Sequence, residues 1–252
     1  MRFKLCIALA GIAVIGSPAN EKKPAPTVSL HEVRVESDGR EVLVTLAVFS
    51  EKDFRLRVIN NPTEGTGPKY VTLVGAMRAS GCMAGSNGGF FEQRPFAPVG
   101  LLLCNGQPVG QLNPTSWMRG VFAVRSQQAS LESTDTFRAS PDLTDAVQSG
   151  PWLVRTGRVE TDNENSRMAP RTFICHDQRG NWALGASGPC TLRELAALLK
   201  DGRITSILDI HDALNLDGGP STGLWCQRSE GNFYLQEKWA VRDYVGVMPR
   251  EK

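Results

Sequence analysis

The apolar positions along this chain follow mostly a strand pattern. Val42–Phe49 and Phe54–Ile59 alternate or run apolar at strand length, which predicts extended elements. Three further apolar segments are interrupted by turn sequences that favour hairpins, at Asn105–Gly106, Arg179–Asn181 and Glu230–Asn232. The pattern therefore predicts a chain built largely of antiparallel hairpins.

Helical patterns are fewer. Tyr70–Ser80 is compatible with a helix that Gly81 ends. In TLRELAALLKDG, Thr191 and Glu194 stand three positions apart as a capping box, the leucines fall on one face, and Gly202 supplies the stop. The segment RITSILDIH that follows fits either a continued helix or a strand. These elements predict one α+β domain, mostly antiparallel sheet built from hairpins with a few helices.

The N-terminus has the pattern of a secretory signal peptide. Arg2 and Lys4 precede a short apolar run, and Ser17-Pro18-Ala19 places small residues where a signal peptidase cleaves. An uncleaved anchor is the alternative, but the run is shorter than the about 20 apolar residues of a membrane span. We therefore expect a signal peptide over residues 1–19, a flexible polar leader over 20–27 and a domain over 28–252, exported to the periplasm or the cell exterior without stable membrane insertion.

Removal of the signal peptide changes the charge of the chain. Arg2 and Lys4 leave with it, so 28 − 2 = 26 basic residues stand against 26 acidic residues. The remaining basic residues are scattered, which gives no reason to expect a nucleic-acid partner.

Five cysteines remain after the signal peptide: Cys82, Cys104, Cys175, Cys190 and Cys226. An oxidising compartment favours disulfides, so we expect at least one, with Cys175–Cys190 as the leading pair because the two flank one predicted hairpin. There is no CxxC and there are only 3 His, so neither a metal site nor a cofactor is predicted.

Four segments share an unusual sequence pattern: SNGGFF, QSGPWLV, APRTFICHD and NLDGGPST, which begin at residues 86, 148, 169 and 215. Each joins an apolar run to glycine or proline, with a polar residue at the break. Glycine permits a positive φ or a close approach of a ligand to the backbone. A single such segment is more typical of a tight turn, whereas four of them indicate polar groups that face a cleft.

In this order the four segments resemble the phosphodiester glycosidase family, whose patterns are approximately N-G-G-F-F, S-G-P-x-L-V, R-T-A-I-G-H-D and N-L-D-G-G-G-S. The resemblance covers residues 81–225. It implies hydrolysis of a sugar-1-phosphodiester at the anomeric carbon, and for bacterial members a connection with envelope polysaccharide. Pro220, Phe173 and Cys175 depart from the family patterns. Proline has no N–H, so a phosphate contact made by the backbone at position 220 is lost here.

The resemblance implies three catalytic residues. Arg171 suits phosphate oxygens because a guanidinium is planar and always charged; a structural ion pair is the alternative. Asp217 stands at a predicted strand end and is assigned to the oxocarbenium-like sugar; a cap of the following turn is the alternative. Asn87 offers an amide to a sugar hydroxyl or a phosphate oxygen, or closes an Asx turn. The predicted substrate-binding residues are Gly88, Ser149, Thr172, Gly218, Gly219, Ser221 and Thr222.

The alternation along RTFICHD separates the remaining polar candidates. Arg171 and His176 fall on opposite faces of a regular strand, which favours a structural His176. Asp177 is expected to be solvated at the hairpin turn. The sequence thus supports an exported hydrolase of sugar phosphodiesters. A non-catalytic or differently specific polysaccharide-binding protein of the cell envelope is the alternative, and Pro220 favours it.

Overall fold

A computed structural model describes residues 26–160 and 167–251. The predicted signal peptide and nearly all of the predicted leader lie outside these residues. In chain order the strands are β1 (Ser29–Ser37), β2 (Arg40–Ser50), β3 (Phe54–Asn60), β4 (Thr63–Glu64), β5 (Gly67–Pro68), β6 (Ala84–Asn87), β7 (Phe91–Glu92), β8 (Ala97–Pro98), β9 (Leu102–Cys104), β10 (Gln107–Gly110), β11 (Gly120–Arg125), β12 (Gln128–Ser133), β13 (Leu143–Ser149), β14 (Trp152–Arg155), β15 (Arg158–Val159), β16 (Ala169–His176), β17 (Asn181–Cys190), β18 (Asp212–Asn215), β19 (Leu224–Cys226), β20 (Phe233–Leu235) and β21 (Asp243–Pro249).

The strands of the described residues form three main sheets. The largest has the order β1-β2-β17-β16-β18-β14-β15, the second β10-β9-β13-β11-β12 and the third β20-β19-β6-β21-β3. The strand pairs in them are antiparallel, and β9–β10, β16–β17 and β19–β20 are hairpins at the three predicted turns. The prediction of mostly antiparallel sheet with few helices is confirmed. The domain is, however, β-rich, so α+β describes it only loosely.

The helices are short, and their bounds are α1 (Leu73–Ala79), α2 (Leu192–Leu198) and α3 (Gly202–Thr205). The predicted capping box at Thr191 and Glu194 is confirmed at the start of α2. The prediction that Gly202 ends this helix is wrong: α2 ends at Leu198 and Gly202 opens α3, because the Asp201 side chain accepts a hydrogen bond from the Arg203 N–H and caps a new helix. None of the helices in residues 26–160 and 167–251 is long and apolar enough to cross a bilayer.

The main core lies where the three sheets meet. Buried side chains from each of them, such as Ile174 of β16, Phe122 of β11 and Leu224 of β19, form one apolar cluster. The other face of the largest sheet packs on α2 and α3, and Phe173 and Cys175 belong to that second cluster. The alternation predicted along β16 is therefore confirmed for its apolar residues.

The predicted disulfide is wrong. All five cysteines of the described residues are free and buried. In the β16–β17 hairpin, Cys190 stands opposite Ala169 whereas Cys175 stands opposite Ala183. Six strand positions separate the two sulfurs along the hairpin, about 20 Å, far beyond the reach of a disulfide.

The prediction of a solvated Asp177 is also wrong, because only 8% of this residue is exposed. Its carboxylate accepts hydrogen bonds from the N–H groups of Arg179 at 2.7 Å and Asn181 at 3.0 Å, and so closes the β16–β17 turn. Burial opposes ionisation here, but the hydrogen bonds from Asn181 and Arg179 outweigh it and hold the pKa of Asp177 below its ordinary value.

Candidate functional site

A cleft of about 970 Å³ opens at one end of the sheets. It is large for a small-molecule site, since such pockets are usually about 300–1,000 Å³. The chain reaches it from the loops before β7, β11 and β21, from the turn between β13 and β14, and from β16 and β18. The residues that line it are Phe90, Phe91, Gln93, Ser116, Trp117, Arg119, Gly150, Pro151, Trp152, Arg155, Glu160, Arg167, Ala169, Arg171, Leu192, Asn215, Asp217, Gly218, Gly219, Pro220, Ser221 and Trp239.

Asp217 faces this cleft just beyond the end of β18. The backbone holds it in place, since the Asp217 N–H donates to the carbonyl of Gly88 at 3.0 Å. Its carboxylate accepts a hydrogen bond from the Gly218 N–H at 2.9 Å. Burial raises the pKa of Asp217 to about 6, against the opposing effect of hydrogen bonds from Ser221 and Gly218. The group can therefore exchange a proton near neutral pH, as a general base or acid requires.

Asn87 lies behind Asp217 and ties three segments together. Its side chain is only 1% exposed. The amide Nδ2 donates to the Asp217 carbonyl at 2.7 Å, and Oδ1 accepts from the Thr172 hydroxyl at 2.8 Å and from the Gly223 N–H at 3.0 Å. All of these contacts are within the protein, so the amide that the sequence assigned to substrate is committed to fixing the Asp217 backbone.

The glycines of the two flanking motifs serve the packing of the protein. A Cβ on Gly88 would lie 1.9 Å from the Asp243 carboxylate, and one on Gly218 would lie 2.9 Å from the Pro170 carbonyl. Gly219 has a φ of +62° and open space beside it, so the turn conformation requires glycine there. Gly88 and Gly218 therefore let the protein close around its own strands, and Gly219 permits the turn beside the cleft.

A second carboxylate, Asp243 of β21, lies beneath the Asn87–Gly89 segment and is 1% exposed. It accepts a hydrogen bond from the Gly89 N–H at 2.9 Å. Burial raises the pKa of Asp243 to about 6, and the negative charge of Asp217 adds to the increase. The site thus holds two acidic groups whose ionisation is costly, one facing the cleft and one behind it.

Trp239 covers the turn that follows Asp217. Its indole Nε1 donates to the Ser221 hydroxyl oxygen at 3.0 Å, and the Lys238 N–H donates to the Pro220 carbonyl at 2.8 Å. Pro220 is the second residue of a short 3₁₀ turn over Gly219–Ser221, where the first turn of a helix accommodates a proline. Trp239 remains 42% exposed and lines the cleft.

Arg171 of β16 lies in the wall of the same cleft. Its Nε donates to the Cys190 carbonyl at 3.0 Å and Nη2 donates to the Arg167 carbonyl. Burial lowers the pKa of the guanidinium, which nevertheless stays charged at neutral pH. Within residues 26–160 and 167–251 no carboxylate forms an ion pair with it. Backbone carbonyls therefore orient a charge that nothing in these residues neutralises.

The ten residues singled out in the sequence divide into two layers. The first layer lines the cleft and contains Arg171, Asp217, Gly218, Gly219 and Ser221. The second layer is buried behind it or at its edge and contains Asn87, Gly88, Ser149, Thr172 and Thr222. Among the described residues no group forms a hydrogen bond with the buried hydroxyls of Ser149 and Thr222, unlike that of Thr172.

Several cleft residues escaped the sequence reasoning. The aromatic ones are Trp117, Trp152 and Trp239, together with Phe90, which meets the Trp117 ring edge to face at 4.7 Å. The charged ones are Arg119, Arg155, Arg167 and Glu160. Trp152 and Phe90 do belong to the quoted motifs, so their place beside glycine or proline was the available signal. His176, by contrast, lies away from the cleft against Trp182, with ring centroids 4.5 Å apart.

Comparison with known proteins gives concordant results. A family model described as phosphodiester glycosidase matches residues 80–248. The Escherichia coli protein YigE is 37% identical over 91 residues, which are 33% of this chain and 34% of that protein, so the chain matches only about a third of this relative's length.

Solved structures share the fold. The catalytic domain of zebrafish N-acetylglucosamine-1-phosphodiester α-N-acetylglucosaminidase, auto-inhibited by its pro-peptide, superposes with a TM-score of 0.64 at 16% identity, covering 92% of this chain and 86% of that one. A Synechocystis protein superposes with a TM-score of 0.59 at 18% identity, covering 89% of this chain and 62% of that one.

Proposed function

Because the chain belongs to the phosphodiester glycosidase family, we propose that it hydrolyses the bond between the anomeric carbon of a sugar and a phosphate ester. The observation that carries the proposal is that Asp217 and Arg171 line one cleft and are not paired with each other. A carboxylate with a pKa raised to about 6 and a guanidinium oriented by backbone carbonyls match the two ends of such a bond.

The chemistry follows from the leaving group. A phosphate ester departs as an anion, so it needs charge stabilisation, which the guanidinium of Arg171 supplies to the phosphate oxygens. The anomeric carbon gains positive charge as the C–O bond breaks. Asp217 faces that carbon, where a carboxylate can stabilise the charge, attack the carbon or take a proton from the attacking water. The water oxygen ends on the sugar and the products are the free sugar and a phosphate monoester.

Asn87 and Thr172 have a positioning role in this proposal. Their hydrogen bonds to each other and to the Asp217 carbonyl fix the backbone that carries the reacting carboxylate. Gly218, Gly219 and Ser221 shape the turn at the floor of the cleft, Ser221 by its hydrogen bond to Asp217. Gly88, Ser149 and Thr222 support this floor from behind.

A binding protein without turnover is the second candidate. The observation in its favour is that the Asp217 carboxylate accepts the Gly218 N–H at 2.9 Å, which is what a turn cap does. In that case the cleft holds an envelope polysaccharide without cleaving it.

We also propose that the protein acts outside the cytoplasm. The motive is the basic start, short apolar run and Ser17-Pro18-Ala19 sequence. N-terminal sequencing of the exported protein is expected to begin at Asn20; a retained Met1 contradicts the proposal.

Replacement of Asp217 by asparagine separates the two candidates. Asp217→Asn keeps the shape of the side chain and removes its charge, so the protein should fold and lose turnover by about 10²- to 10⁴-fold. The probe is a p-nitrophenyl or UDP-linked sugar phosphodiester, with release of sugar as the measurement. Asp53→Asn, an exposed carboxylate at the opposite β2–β3 turn, is the matched control and should be unaffected. A folded Asp217→Asn protein with the wild-type rate ends the assignment.

A further inference from the structure

Two arginines stand directly opposite each other at the β14–β15 hairpin. Arg155 and Arg158 are cross-strand partners and both are exposed. Like charges in this position repel each other and weaken the hairpin. Among residues 26–160 and 167–251 no carboxylate forms an ion pair with either of them. A like-charge pair of this kind is a local cost that functional sites commonly carry.

The cleft wall fixes one member of the pair. The guanidinium of Arg155 lies 5.3 Å from the ring centroid of Trp152, a cation–π contact that orients the charge without neutralising it. Trp152 is itself only 7% exposed, and its Nε1 donates to the carbonyl of Arg119 at 3.3 Å. Arg119 also lines the cleft, with its guanidinium paired to Asp135. The Trp152 ring therefore contacts the guanidinium of Arg155 and the backbone of Arg119.

The strand register shows how far this wall is from the proposed reaction centre. Phe173 stands opposite Asn215 and Val154 stands opposite Ala213, so Arg171 and Arg155 correspond to positions 217 and 212 of the β18 segment. The two arginines are therefore separated by five positions along the strand direction, about 17 Å, and by two strands across the sheet, about 10 Å. The backbone positions of the two arginines are therefore well separated along the cleft, so only an elongated ligand can contact both of them.

Among residues 26–160 and 167–251, arginines outnumber carboxylates in the lining of the cleft. Its lining includes four arginines, Arg119, Arg155, Arg167 and Arg171, against two carboxylates, Asp217 and Glu160. A single sugar phosphodiester offers one negative charge and fills a small part of about 970 Å³. Arg119 is paired with Asp135, whereas Arg155 adds a positive charge that the proposed reaction does not use.

We propose that the substrate is a polyanion with repeated phosphates, held at its scissile phosphate by Arg171 and at a further phosphate by Arg155 and Arg158. This inference rests on the proposed function only for the place of the scissile bond. The ligand class is a phosphate-linked glycan whose charges recur along the chain, and the β14–β15 hairpin is its distal anionic subsite.

The experiment measures binding separately from hydrolysis. Long-chain polyphosphate and orthophosphate are titrated calorimetrically into the wild-type protein, the double variant Arg155→Gln/Arg158→Gln and the control Arg228→Gln, an exposed arginine outside the cleft. The double variant should bind polyphosphate at least about tenfold more weakly and with a shallower salt dependence, because fewer phosphate contacts release fewer counterions. Its melting temperature should match that of the Arg228→Gln control, so that a loss of polyphosphate binding does not reflect unfolding.

Three outcomes overturn the inference: wild-type binding of polyphosphate by the double variant, an equal loss in Arg228→Gln, or tighter wild-type binding of polygalacturonate, a polycarboxylate, than of polyphosphate. Binding of polyphosphate that depends on Arg155 and Arg158 supports the inference even if no phosphodiester is hydrolysed, in which case only the proposed reaction fails. If the wild-type protein hydrolyses a p-nitrophenyl sugar phosphodiester but the double variant binds polyphosphate as tightly as wild type, the proposed reaction stands and this inference fails.

Discussion

Trp239 donates its indole N–H to the Ser221 hydroxyl at 3.0 Å, and Ser221 belongs to the turn that follows Asp217. The hydroxyl hydrogen of Ser221 is thereby directed towards Asp217, where it lowers the pKa of the carboxylate against the effect of burial. Trp239→Phe removes the donor and keeps an aromatic ring. We expect the acidic limb of the kcat/KM profile to move above about pH 6, because Asp217 then loses part of its stabilisation as an anion.

The control for this change is Trp117→Phe. Trp117 also lines the cleft and is 44% exposed, but its contact is an edge-to-face packing on Phe90 rather than a hydrogen bond to the turn. It should leave the acidic limb where it is. An identical shift in both variants, or in neither, contradicts the role given to the indole N–H.

Arg171→Lys keeps the positive charge and removes the planar fork. Lysine cannot reproduce the hydrogen bonds to the Cys190 and Arg167 carbonyls that orient the guanidinium. We expect KM for a sugar phosphodiester to rise by about tenfold or more, the value of one lost charge-assisted bond. Hydrolysis of a glycoside without phosphate should be indifferent to the change, and equal effects on both substrates would remove Arg171 from the phosphate.

Asn87→Ala deletes three hydrogen bonds at once and leaves the Asp217 carbonyl without its amide partner. The free energy of unfolding, measured with urea, should fall by about 3 kcal/mol, because unpaired buried polar groups are costly. Asn232→Ala, an exposed asparagine of the β19–β20 turn, should change it by less than about 0.5 kcal/mol. A fully stable Asn87→Ala protein with a raised KM would show that the amide binds substrate after all.

Asp243 makes stability depend on pH. Its pKa in the folded protein is raised from the ordinary 3.8 to about 6, so between about pH 4 and pH 6 the folded state binds a proton that the unfolded chain does not. Stability therefore declines as the pH rises through this window, by up to about 3 kcal/mol, and Asp217 adds a change of the same sign. Asp243→Asn should be more stable than wild type at pH 8 and show a smaller decline in urea unfolding between pH 4 and pH 8. A decline of wild-type size in the variant would refute this assignment.

The sequence predicted several local features correctly. The capping box at Thr191 and the turns at Asn105 and Gly180 involve residues a few positions apart, and they appear where they were expected. The same holds for Asp217 and Arg171, which stand in recognisable motifs and line the cleft.

Features that depend on strand register were beyond the sequence. Asp243 reaches Gly89 only because Tyr244 of β21 pairs with Asn87 of β6, residues that are far apart along the chain. The disulfide prediction failed for the same reason, since adjacency in a hairpin says nothing about which positions face each other. Trp239 lies in a loop without a motif, so its contact with Ser221 has no local signal.

The fold shields its five buried thiols from solvent. Burial raises the pKa of Cys82 and Cys175, which suppresses the thiolate that oxidants and alkylating agents attack. The oxidation state of each cysteine is therefore set before folding is complete. Oxidation of a thiol must occur before the sheets pack together and bury it. In the folded protein, the rate at which a thiol reagent modifies the cysteines therefore reports how often the domain opens.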